Sequence, residues 1–120
     1  MDKTFAFVGA LMAGVGVGLG AFGAHGLRGR LSPEMLAVFE TGVRYHMYHA
    51  LAILATAVLM TRLDGRAITI AGWSFTAGIL IFSGSLYALA LTGVTTLGAI
   101  TPIGGLAFLA GWVCLMIAAF

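Results

Sequence analysis

Charge is nearly absent from this chain. Only 8% of its 120 residues are Asp, Glu, Lys or Arg, against about 25% in a soluble domain. So few charges cannot cover a globule with polar surface. Lipid must therefore be the solvent for most of the chain, in agreement with 61% hydrophobic residues and a mean hydropathy of +1.08. A dense run of Lys or Arg is also missing. Six such residues and a net charge of +2 offer nothing to trap a nucleic-acid backbone, so nucleic acid is not expected as a partner. Cysteine occurs once, at Cys114 inside an apolar run. This excludes a disulfide within the chain and any zinc site of the CxxC type. Proline occurs twice, each time behind a hydroxyl residue, in Ser32-Pro33 and Thr101-Pro102. Both pairs read as an N-cap followed by the first helical residue.

What is present is four apolar runs, at about 4–24, 45–61, 67–92 and 102–120. A spanning helix needs about 20 apolar residues. The second run is short, but Ser32-Pro33-Glu34 is a helix start. One long helix from Pro33 to about Thr61 is expected, amphipathic at first and buried later; a break at Gly42 is the alternative. The predicted fold class is an all-α membrane protein: a compact bundle of four transmembrane helices, with an amphipathic stretch before the second, in one domain over 1–120. The first run is longer than a signal-peptide core and no A-x-A site follows, so it reads as a span. The links are short: "HGLRGRLSP", the tight charged turn "RLDGR", and the uncharged "TGVTTLGAITP". Lys3, Arg62 and Arg66 fall on one side, Arg28 and Arg30 on the other, with Arg44 a candidate for the second side. The expected orientation has both termini cytoplasmic.

Glycine is abundant, with 18 residues. In the first span, at about 100° per residue, Gly9, Ala13, Gly16, Gly20 and Gly23 share one side. Val8, Leu11, Val15, Leu19 and Phe22 form a bulky stripe opposite. Small residues let helix backbones approach in lipid. Gly9, Gly16, Gly20, Gly23, Gly84 and Gly105 are therefore expected at helix contacts, and the glycine faces point to a homo-oligomer.

The costly groups lie in "RYHMYHALAILATAVLM", residues 44–60. Glu40 and Arg44 are spaced i, i+4 with the acid first, the order that favours a helix ion pair. His46 and His49 fall on another stripe with Gly42, Ile53, Thr56 and Met60, and this stripe is otherwise apolar. Tyr45 is one turn before His49 and within reach of a hydrogen bond to it. Ionisable groups at membrane depth default to a functional hypothesis. Three readings compete: neutral histidines fixing the packing, histidines handling protons or substrate, and histidines binding metal or haem. A metal would need His25 beside His46 and His49, and the HxxH spacing alone is weak. Span three adds "FSGSLYALALTG", where Ser83 and Tyr87 are one turn apart. A Ser–His pair suggests hydrolysis only with an orienting acid. Spans three and four hold none, so the balance is against an enzyme. Trp73 and Trp112 suggest interface markers, although Trp112 lies deep for that role.

The motifs "GAFGAHGL", "FETGVRYHMYHALAIL", "GILIFSGSLYALALTG" and "ITPIGGLAFLAGW" follow in one order. Across nearly the whole chain this resembles the YgdD-like family of small bacterial membrane proteins, a domain of unknown function. The resemblance implies a four-span protein of the bacterial inner membrane and no assigned activity. Its motifs coincide with His25, Glu40, Arg44, Tyr45, His46, His49, Ser83, Ser85, Tyr87, Thr101 and Pro102, which favours a shared pocket. The leading functional expectation is a small transporter or channel-like protein. It would bind or pass a small polar solute or a proton through a pocket of His25, Tyr45, His46, His49, Ser83, Ser85 and Tyr87. The alternative is a structural or partner-binding subunit of a membrane complex, and the third reading a His-ligated metal or haem protein. No cofactor is expected otherwise. The lipid bilayer is the expected partner, and a small molecule or a lipid beside the glycine helix the expected ligand.

Overall fold

A computed structural model describes residues 2–120, and among them there is no strand. Helix α1 (Asp2–Ala21) runs on into a π turn at Phe22–Gly26. Helix α2 (Pro33–Leu59) follows. Helix α3 (Arg66–Gly78), a π stretch (Ile79–Ser83) and α4 (Gly84–Thr92) form one continuous rod. A short 3-10 turn (Thr95–Ala99) leads into α5 (Thr101–Ala119). Lys3–Gly26, Arg66–Thr92 and Thr95–Ala119 are long and apolar enough to cross a membrane, by length and composition. With 27 residues α2 is as long, but the stretch up to His49 carries Glu34, Glu40, Arg44, His46 and His49 and is less apolar. The longest dimension is 47 Å, comparable with a bilayer including its headgroups, about 40–45 Å.

The expected start of α2 is borne out. Ser32 is extended, and its hydroxyl accepts from the Met35 N–H at 3.2 Å, with Pro33 in the first turn. The helix continues through Gly42 without a break. The second expected cap is not formed. Ile100 holds the N-cap position of α5, and Thr101 is already helical. The Thr101 hydroxyl is drawn instead to Ser85 on the neighbouring rod, at 2.6 Å.

Packing is organised by aromatic rings laid against glycines of other helices. Phe39 lies on Gly23, Tyr87 on Gly42, Phe5 on Gly72, Phe108 on Gly78 and Phe75 on Gly111. A Cβ at Gly23 would sit 2.9 Å from the Phe39 ring, and one at Gly42 2.8 Å from that of Tyr87. Phe5, Phe39 and Phe75 are fully buried in this way. Gly9, Gly16 and Gly20 of α1 and Gly23 of the π turn all face α2, meeting Leu54, Met47, Val43 and Phe39. Two of the expected contact glycines differ. A Cβ at Gly84 would meet nothing within 4 Å, because the rod turns this residue towards a groove. Gly105 makes only ordinary contact with Phe82, at 3.9 Å, and the close approach falls to Gly104, which lies against the Phe82 backbone. The bulky stripe of α1 is split as well. Leu11, Val15 and Phe22 are exposed, whereas Val8 and Leu19 pack on the core.

Gly104 and Gly18 should therefore respond in opposite directions to the same methyl group. Gly104→Ala drives a Cβ into backbone and should destabilise the bundle by about 1–3 kcal/mol. Gly18, with nothing within 4 Å of its Cβ position, should tolerate Ala and gain up to about 1 kcal/mol of helix stability. Unfolding in mixed micelles measures both.

Candidate functional site

The two histidines are buried, His46 at 3% and His49 at 5% exposure. They lie on the predicted stripe of α2, whose continuation is fully buried at Ile53 and Thr56 and partly buried at Met60. Their surroundings differ. The Nε2 of His46 is 2.7 Å from the Met12 carbonyl of α1, and its Nδ1 2.8 Å from the Tyr87 hydroxyl of α4. A carbonyl only accepts, so Nε2 carries a proton, and in the neutral ring Nδ1 then accepts from Tyr87. Gly16 makes the first contact accessible: a side chain there would lie 3.2 Å from the imidazole. His49 has the opposite tautomer. Its Nδ1 donates to the Tyr45 carbonyl one turn back, at 2.8 Å. Its Nε2 accepts from the indole N–H of Trp112 at 3.1 Å. The ring stacks on Phe108, with centroids 3.6 Å apart and planes 10° from parallel. Both imidazoles have both nitrogens partnered, and His49 is held neutral because an indole N–H only donates; one ring pins α1 to α4 while the other pins α2 to α5.

The remaining expected residues do not gather into one pocket. Ser83, fully buried, donates to the Gly42 carbonyl across the helix contact at 2.7 Å. Ser85 donates to the Phe82 carbonyl at 2.8 Å, which leaves Thr101 to donate to the Ser85 oxygen. Tyr45 serves His49 through its backbone carbonyl, while its ring is 38% exposed and packs on Phe82, 5.0 Å away. His25 is exposed on the π turn at the end of α1. It does not join the other two histidines: among the described residues no three His, Cys, Asp or Glu side chains gather as metal ligands. Glu40 and Arg44 are both exposed, and among the described residues no ion pair joins them. An exposed pair gains little against the entropy of fixing two long side chains. Among the described residues every buried side-chain nitrogen or oxygen has a partner.

Each histidine floors a separate apolar groove that opens sideways. One lies between α2, the π stretch and α5. It has a volume of about 430 Å³, with Tyr45, His49, Phe82, Gly105, Leu109 and Trp112 among its walls. The other, about 270 Å³, lies between α1 and the rod over His46 and Tyr87, beside Gly84. Sequence reasoning missed Trp112 as a site residue and Met12 altogether. Trp112 left one signal, its position deep in an apolar helix where an indole N–H needs an acceptor. Met12 acts through its backbone and left none.

A bundle of long apolar helices, held by histidines in their neutral form and grooved on its outer side, is a membrane protein. The comparisons agree. The family described as "Protein of unknown function (DUF423)" matches residues 19–105. The UPF0382 membrane protein YwdK of Bacillus subtilis (strain 168) is 52% identical over 118 residues, 98% of this chain and 96% of that one. The UPF0382 membrane protein SAB0533 of Staphylococcus aureus (strain bovine RF122 / ET3-1) is 50% identical over 118 residues, with the same shares of each chain. The chain belongs to this DUF423 family of membrane proteins. No solved structure matches it.

The tautomers are directly measurable. In ¹⁵N spectra of the protein in micelles, His46 should carry its proton on Nε2 and His49 on Nδ1. Trp112→Phe removes the donor to His49 and should cost about 1–3 kcal/mol, the usual penalty for a buried polar atom left unpaired. Two histidines of the same tautomer would contradict the hydrogen-bond assignment.

Proposed function

We propose that this protein binds the apolar chain of a membrane lipid in the lateral groove between α2, the π stretch and α5. One observation carries the reading. The groove has a ligand-sized volume of about 430 Å³, within the usual range of about 300–1,000 Å³, and its walls are apolar. It opens on a side of the bundle whose exposed residues, Leu106, Leu109 and Trp112, suit hydrocarbon. A polar solute moving through the same site would have to displace the Trp112 or Tyr45 partner of His49. This weighs against the transporter or channel expected from the His, Tyr and Ser pattern, because the buried members of that pattern already have partners within the bundle.

The reading includes α2 as a fourth span. His46, His49 and Thr56 turn inward to partners, while the charged Glu34, Glu40 and Arg44 are exposed in the half that begins at the Arg28 and Arg30 link. Four spans put both termini on one side. Lys3, Arg62 and Arg66 favour that side as cytoplasmic, and kinship with bacterial membrane proteins favours the cytoplasmic membrane of a bacterium. Within the family, the motif order supports the YgdD-like group. Reporters fused to either terminus should give the same cytoplasmic signal, and one inserted at Gly29 the opposite signal.

The test of the groove is Gly105→Leu. A Cβ at Gly105 has only ordinary contacts, so the longer side chain enters the groove and the bundle is retained. Native mass spectrometry from mild detergent should find lipid bound to the wild type and lost from the variant. Equal lipid retention by both would overturn the proposal. A second reading, an assembly module, is favoured by Gly14 and Gly18, which have nothing within 4 Å. A lipid-free complex of fixed subunit number would favour it instead.

A further inference from the structure

We infer that His46 is a proton-binding site of the bundle and that His49 is not. Burial does not separate the two rings, which are 3% and 5% exposed. Their partners do. A second proton turns the accepting nitrogen of an imidazole into a donor. The ring then keeps its place only if the group that donated to that nitrogen accepts instead. For His49 this group is the indole N–H of Trp112, which only donates. A proton on its Nε2 would set two N–H groups against each other among the rings of Phe75, Phe108 and Trp112. For His46 the group is the Tyr87 hydroxyl, which donates or accepts as required.

The reversal at Tyr87 leaves no polar atom unpaired. With Nδ1 protonated, the Tyr87 oxygen accepts from His46, and the phenol proton needs a new acceptor. Ser83 lies one turn before Tyr87 on the rod, and its hydroxyl is in hydrogen-bonding reach of the Tyr87 hydroxyl. Ser83 already donates to the Gly42 carbonyl at 2.7 Å, so its oxygen still accepts. In the charged state the bonds run one way, from His46 to Tyr87 to Ser83 to Gly42. Nε2 goes on donating to the Met12 carbonyl at 2.7 Å. One proton enters, one hydroxyl turns, and the heavy atoms stay.

No other titrating group faces this ring. Met12 and Gly16 meet it from α1, Tyr87 from α4, and Ile79 stands beside it from the π stretch. The charged residues of α1, Asp2 and Lys3, lie at its start, about 14 Å or more from Met12. On α2, Glu40 and Arg44 are exposed and lie about 120° and 160° around the helix from His46. Residues 67–120 hold two titratable side chains, Tyr87 and Cys114, and Cys114 is on α5, the helix that meets His49. No carboxylate therefore neutralises the imidazolium, and its charge rests on the Met12 and Tyr87 oxygens. A buried charge is costly unless it is fully hydrogen-bonded, which makes the reversible donor at Tyr87 the condition for uptake.

The test is a pH titration of ¹⁵N-histidine spectra in micelles, with backbone spectra reporting the fold. In the wild type His46 should gain its Nδ1 proton in the folded bundle, and His49 should keep a bare Nε2 until unfolding. Ser83→Ala leaves the neutral His46–Tyr87 pair intact but removes the acceptor for the phenol proton. It should move the His46 midpoint about one pH unit lower, the scale of one hydrogen bond, and Ser83→Thr should restore it. Tyr87→Phe conserves the ring and should abolish His46 protonation in the folded state. Trp112→Phe lifts the block on His49 and should let it titrate while folded. His49 protonating before His46, or neither doing so before unfolding, overturns the assignment. An unchanged His46 midpoint in Ser83→Ala and Tyr87→Phe overturns it equally.

Discussion

The laying of an aromatic ring against a bare glycine backbone is the contact on which this structure depends. Helices in lipid gain nothing from hiding apolar surface, because their surroundings are as apolar as they are. Association rests on close van der Waals packing and on hydrogen bonds between helices. Gly23, Gly42, Gly72, Gly78 and Gly111 each receive a ring from another helix. A flat ring against backbone makes many short contacts, each worth about 0.1–0.2 kcal/mol and large only in sum. A methyl group in any of these places would hold the ring away and forfeit them together. The glycines that make no contact, Gly14 and Gly18, show that glycine alone organises nothing here: the partner ring does.

The polar pins follow from this closeness. His46 reaches the Met12 carbonyl because Gly16 has no side chain, and Ser83 reaches the Gly42 carbonyl where the Tyr87 ring already lies on that glycine. A buried imidazole with one nitrogen unpaired would cost about 1–3 kcal/mol. Both histidines avoid this by using every nitrogen, with partners on three other helices or on their own. The aromatic contacts bring the backbones together and the hydrogen bonds fix their register. Neither set would be formed without the other. Tyr87 belongs to both, with its ring on Gly42 and its hydroxyl on His46.

The sequence made the helices legible because lipid demands long apolar runs and because Ser32-Pro33 announces where α2 begins. It also made legible which stripe of α2 turns inward, since Gly42, His46, His49, Ile53 and Thr56 repeat at helical spacing. The partners were not legible. Periodicity orders residues around one helix and is silent about which face of another helix it meets. Gly84 and Gly104 differ in role only because the rod and α5 meet at one angular position. Thr101 looked like a cap, yet its hydroxyl found Ser85, a partner that exists only after the helices pack. Tyr45 seemed a side-chain partner for His49, whereas the carbonyl of the same residue was closer and already aligned along the helix. Backbone atoms carry no sequence signature, and two of the four histidine contacts end on them.

The same saturation decides what kind of ligand the groove suits. A pathway for a polar solute needs groups with spare hydrogen-bonding capacity along its length. The buried polar atoms in the floor of this groove and beside it come in closed sets: His49 with Trp112 and the Tyr45 carbonyl, and, behind the wall, Ser85 with Thr101 and the Phe82 carbonyl. Entry of water or an ion would exchange bonds within a low-dielectric site, where a lost partner is costly. A hydrocarbon chain asks for no such exchange. It needs surface, and the faces of Phe82, Phe108 and Trp112 supply it while the hydrogen bonds beneath remain intact. The histidine is therefore better understood as the fixed floor of the groove than as a group waiting for something to bind.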